Sequence, residues 1–163
     1  MKKALFAIML SAIVYPALAA DPEVFALRLS MLQGDRVVTN WTTSAGMGHP
    51  AEVKSLEYLQ YDEACTGDSN GRPQFKKAQI ELGLNATMRP VLRSTEGIAV
   101  QVDLRHVDLN GMNRKSLAGG CGVDLPSTHV MSISGHMVLL RAGQKIQLPA
   151  GSDDKYRFTL ERM

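Results

Sequence analysis

Four histidines and two cysteines are the side chains best suited to holding a metal ion: His49, His106, His129, His136, Cys65 and Cys121. Zinc sites use imidazole and thiolate ligands at recurrent spacings. The sequence has no H-x-H, no H-E-x-x-H and no C-x-x-C, and no histidine stands at ligand spacing from a cysteine. His129 and His136 would converge on one sheet edge if their strands pair, but a metal site needs a third ligand. The spacing therefore predicts no metal ligand and no redox dithiol. Serine chemistry has a thin basis. Ser134 and His136 sit together in Ser132-Ile133-Ser134-Gly135-His136, yet a nucleophile elbow needs G-x-S-x-G before a helix. The acids Asp62-Glu63 and Asp153-Asp154 are adjacent pairs beside turns and match no calcium loop. Residues 117–122 are glycine-rich, without the Lys-Ser/Thr and following helix of a phosphate cradle. The reading expects no catalytic residue and no cofactor.

The cysteines then have a structural use, set by the N-terminus. Residues 1–20 run from Lys2-Lys3 through an apolar stretch to Ala17-Leu18-Ala19-Ala20. A charged start, a short apolar core and an A-x-A end make a secretory signal peptide. The expected cut follows Ala19, with Ala20 as the alternative, leaving a single domain from residue 20 to 163. An exported chain meets an oxidising compartment, where Cys65 and Cys121 should pair. A disulfide closing 57 residues contributes about 4 kcal/mol in the chain-entropy model. Removing Lys2 and Lys3 leaves 16 basic and 16 acidic residues, a formal charge of zero. Electrostatic steering toward nucleic acid has no support. The mature chain has no apolar run long enough for a membrane-spanning helix.

Period-two alternation shows which elements must position these groups. Phe25, Leu27, Leu29 and Met31 alternate with Ala26, Arg28 and Ser30. Ile98, Val100, Val102 and Leu104 do the same, as do Tyr156, Phe158 and Leu160. Residues 36–43, 75–81, 84–92, 129–134, 136–141 and 145–148 are further strand candidates. Residues 52–64 are the best helix candidate, though a strand reading is equally open there. Pro90 predicts an edge or bulge position. Turns are expected at Gln33-Gly34-Asp35, at Ser94-Thr95-Glu96-Gly97, and as a hairpin at Ala142-Gly143-Gln144. The fold class is mainly β: an antiparallel β-sandwich or open barrel. Residues 63–74 and 110–126 are polar, glycine-rich and hold the cysteines, so they read as two long loops joined by the disulfide.

Several motifs between residues 28 and 148 resemble the β-rich C-terminal module of bacterial secretins, the outer-membrane pores of type II and type III secretion systems and type IV pili. Leu29-Ser30-Met31-Leu32-Gln33-Gly34-Asp35-Arg36 is similar to its opening strand and turn. Gly83-Leu84-Asn85-Ala86-Thr87-Met88-Arg89-Pro90-Val91 is similar to its proline-ended strand, and Glu96-Gly97-Ile98-Ala99-Val100-Gln101-Val102 to the next. Residues 132–144, ending in Ala142-Gly143-Gln144, resemble the strand and turn near the module's end. The resemblance implies a soluble secretin-like relative rather than a pore.

Together these features predict an exported, non-enzymatic β-domain, most naturally periplasmic, that binds another protein of the cell envelope. A sheet edge and the two tethered segments would do the binding, possible on the cell surface or in the medium as well as in the periplasm. The sequence sets no oligomeric state. A second reading is a small-molecule or carbohydrate binder using Trp41, Tyr58 and Tyr61 on a sheet face. An exported hydrolase using Ser134 and His136 is the third.

Overall fold

The computed structural model describes residues 23–68, 70–116, 121–149 and 155–163. The signal peptide assigned to residues 1–19, the glycine-rich residues 117–120 and the pair Asp153-Asp154 lie outside the described residues. Eight strands are described: β1 (Val24–Gln33), β2 (Arg36–Gly46), β3 (Ala51–Gly67), β4 (Pro73–Ser94), β5 (Gly97–Ser116), β6 (Gly122–Leu140), β7 (Lys145–Gln147) and β8 (Arg157–Arg162). They form two open antiparallel sheets, ordered β2-β1-β8-β7 and β3-β4-β5-β6. The all-β expectation is met. Residues 52–64, the helix candidate, belong to β3.

The core forms where the apolar faces of the two sheets meet. One sheet contributes Phe25, Leu27, Leu29, Phe158 and Leu160. The other contributes Leu84, Met88, Ile98, Val100, Val102 and Leu140. The alternation marked all of these except Leu84, Met88 and Leu140, which lie in the further strand candidates. Pro90 is buried in β4 at a register shift between Pro90 and Leu92. The bulge lets the strand accommodate a residue that cannot donate to the ladder.

Three connections are short. Gly34, with φ of 60°, begins the two-residue turn between β1 and β2, as a type II′ hairpin requires. Thr95 and Glu96 join β4 to β5. Ala142-Gly143-Gln144 forms a turn but not the expected hairpin. β6 pairs in one sheet and β7 in the other, so this turn carries the chain between sheets. Gly143 N–H donates to the Arg162 carbonyl at 2.8 Å, anchoring the turn to the end of β8.

The second sheet is much longer than the first. Its strands are 17, 22, 20 and 19 residues long. β4 and β5 pair from Ser94↔Gly97 to Gly83↔Val107 and no further. Beyond that rung, β3–β4 and β5–β6 continue as separate two-stranded ribbons to Gly67↔Pro73 and Ser116↔Gly122. Cys65 and Cys121 are disulfide-bonded near the two tips, with Cα atoms 6.1 Å apart. The segments expected to be two long loops are therefore mostly hairpin arms. Within residues 63–74 the strands run up to Gly67 and from Pro73, and the Asp68 carboxylate between them accepts from Asn70 N and Arg72 N, each at 2.8 Å. The polar composition reflects exposed ribbon surface, not irregular backbone.

Gly83 stands at the fork of the two ribbons with φ of 102°. A Cβ there would lie 2.1 Å from the Ser55 carbonyl oxygen on the neighbouring strand. Both the backbone conformation and the close approach require glycine. Gly83→Ala should destabilise the protein by about 2–3 kcal/mol in denaturant unfolding. Gly67→Ala, which has open space and ordinary φ, is the control and should change little. Equal effects of the two would contradict the fork geometry.

Candidate functional site

A cleft of about 470 Å³ opens where the ribbons part. Gly83 and Val107, the last rung of the β4–β5 ladder, line it. Trp41 of β2 lines one side, and Tyr156, just before β8, lines another. Glu57 of β3 and Asp108 of β5 contribute carboxylates. The cleft is thus a consequence of the fork: two strands that stop pairing leave a space bounded by both sheets.

His106 continues the inward parity of Ile98, Val100, Val102 and Leu104 and is buried. Its ring meets Tyr156 edge-on, with centroids 5.1 Å apart, and lies tilted against Phe158 at 5.8 Å. Burial holds its pKa below the ordinary imidazole value; Asp108 opposes the shift, while His129 and Lys155 add to it. The imidazole is therefore neutral at pH 7. Beside it, Lys155 Nζ is 2.7 Å from Asp108 Oδ2 and 5.0 Å from the Tyr156 ring centroid. The hydrogen bond that Lys155 donates to Asp108, with a further one to Tyr156, raises the Lys155 pKa, so the ammonium stays charged. No hydrogen bond or ion pair engages the Glu57 carboxylate among the described residues.

The aromatic residues singled out by the sequence separate in space. Trp41 lines the cleft, half-buried. Tyr58 is 57% exposed on β3, and its hydroxyl bonds to Glu81 opposite it on β4, which raises the phenol pKa. Tyr61 is half-buried farther along the ribbon, opposite Ala78. The histidines also separate. His129 lies opposite Asp108 and beside His106. His136 is opposite Val102, and His49 sits in an exposed turn bridged to Gly46. No group of three or more His, Cys, Asp or Glu among the described residues is placed to hold a metal ion.

Ser134 has a structural partner. Its hydroxyl is 3.3 Å from Asp103 Oδ1, the atom that also accepts from Gly135 N at 2.7 Å. Asp103 thus braces a bulge in β6 at the register shift between Val102 and Leu104. The acids Asp62 and Glu63 pair with Lys77 and Lys76, each at 2.7 Å, across the β3–β4 ribbon. Such exposed pairs add little to stability, because solvent screens them.

No family model, curated protein or solved structure matches this chain. The sequence does not single out Glu57, Asp108 or Lys155, and it marks His106 only as a metal-ligand candidate and Tyr156 only as a strand residue. His106 and Tyr156 each carried a signal, because each occupies a core-parity position in an alternating run.

His106 gives a pH prediction. Its folded pKa lies below the unfolded value of about 6.5. The unfolded chain therefore binds more protons between the two values. The contribution of neutral His106 is fully present above about pH 6.5 and is lost as pH falls toward the folded pKa. Melting midpoints measured between about pH 7 and 5 should fall more steeply in the parent protein than in His106→Gln. Identical slopes would show that His106 is not buried as described.

Proposed function

We propose that this chain is an exported, non-enzymatic β-protein that binds other proteins by accepting a strand at the open edge of β2. The observation that carries this reading is how unguarded that edge is. β2 pairs only with β1 among the described residues. Residues 37–43, Val-Val-Thr-Asn-Trp-Thr-Thr, contain no charge and no proline. Val37 and Val38 are 45% and 47% exposed. Soluble proteins normally blunt such edges with charges, prolines or short strands.

The other edges carry those devices. β7 has three residues. β3 bears Glu52, Lys54 and Glu57, and β6 bears Asp124 and Pro126. An incoming strand at β2 would gain backbone hydrogen bonds, with specificity from side chains on alternate positions. Val38, Asn40 and Thr42 are exposed on one face of β2, while Thr39, Trp41 and Thr43 are half-buried on the other.

Export is supported by the disulfide, a bond that persists in oxidising compartments, and by the signal-peptide pattern of residues 1–19. No helix among the described residues is long and apolar enough to cross a membrane. The secretin-like motifs make a secretion or pilus apparatus of the envelope the first setting in which to seek the partner, with periplasm as the compartment.

Charge at the edge tests the reading. Photo-crosslinking from position 40 in the native cell should give one dominant envelope-protein adduct. Val38→Lys and Thr42→Lys should abolish the adduct while leaving the circular dichroism and melting midpoint of the purified protein unchanged. An adduct of equal yield in both variants would exclude β2 as the docking edge.

A further inference from the structure

We propose a second site: the cleft at the ribbon fork binds a neutral saccharide. This is independent of strand addition at β2, because the exposed face of Val38 and Thr42 lies outside the cleft lining. The volume of about 470 Å³ falls in the range of small-ligand sites and suits one or two sugar rings.

The lining selects the ligand by exclusion of charge. An anion would meet the Glu57 carboxylate, which no residue neutralises among the described residues. A cation would find the Asp108 carboxylate already paired with Lys155 Nζ at 2.7 Å and the Tyr156 ring already carrying that ammonium, although Lys155 itself lies outside the lining. Lys155 thus occupies the aromatic seat that a ligand ammonium would take. His106 adds no charge, since burial keeps it neutral near pH 7.

What remains suits a molecule with hydroxyl groups on its rim and an apolar face. Trp41 offers aromatic surface for the C–H face of a pyranose ring. Glu57 is a pure acceptor whose two oxygens match a pair of neighbouring hydroxyls. Thr39 and Ser55 also line the cleft and both donate and accept. A purely apolar ligand would leave these polar groups unpaired, and such groups are costly when water is displaced.

Trp41 is the sole tryptophan of the chain, so intrinsic fluorescence reports directly on this site. Glucose, galactose, N-acetylglucosamine, cellobiose, lactose and chitobiose are the probes, with choline as the cationic comparison. At least one sugar should give a saturable fluorescence change in the millimolar range or tighter. Glu57→Gln should weaken that binding by about tenfold or more without moving the melting midpoint. Val38→Lys should leave it unchanged, which separates failure of this site from failure of the β2 edge. The proposal is overturned by no saturable change with any sugar through tens of millimolar, by equal affinity in Glu57→Gln, or by a response to choline alone.

Discussion

Among the described residues, two ribbons that share no ladder must be held together by side chains. The β4–β5 ladder ends at Gly83↔Val107. From there to the tips each ribbon is two-stranded, with β3 of one packed near β6 of the other; a two-stranded hairpin alone is of marginal stability in water. The Cys65–Cys121 bond near the tips joins β3 to the residue just before β6; β3 and β6 are the outer strands of their sheet. By restricting a closed loop of 57 residues, it removes about 4 kcal/mol of unfolded-state freedom in the chain-entropy model. The bond does not sit in the sandwich core, which has its own buried Leu, Val, Ile and Phe residues. Its consequence is local: it keeps the fork closed at the far end and gives the cleft at the near end fixed walls.

The charge distribution agrees with a protein that recognises shape and backbone rather than a field. The chain carries 18 basic and 16 acidic residues, a formal charge of only +2. Its ion pairs are spread over the surface: Lys76–Glu63 and Lys77–Asp62 on one ribbon, Arg28–Glu161 across β1 and β8. None is fully buried, so none creates a strong local potential. The surface also presents an uncharged strand edge at β2 and a cleft in which Asp108 is paired with Lys155 while Glu57 has no partner among the described residues.

The alternation in the strands was readable because side-chain period two is a one-dimensional signal. Phe25, Leu27 and Leu29, and Ile98 through Leu104, were assigned to the core on that signal and lie there. Pro90 was likewise readable, since a proline inside a strand demands a bulge. The hairpin arms were not readable. Residues 63–67 and 110–116 have no continuous buried face, so they carry no alternation, and composition alone made them look like loops. The turn at Ala142-Gly143-Gln144 was visible, but a turn does not encode which sheet the next strand joins. The cleft was hidden for a similar reason. Trp41, Glu57, His106 and Tyr156 come from four separate stretches of the sequence and meet only through sheet packing.

Hydrogen exchange read by mass spectrometry, with and without selective reduction of the disulfide, tests the central claim most directly. Local opening should be confined to the parts that the staple holds. Reduction should accelerate exchange in residues 57–67, 73–82, 108–116 and 122–129. Residues 84–90 and 98–106, within the sandwich, should exchange as slowly as before. Uniform acceleration across both halves, or none in the ribbons, would contradict a sandwich with a separately stapled fork.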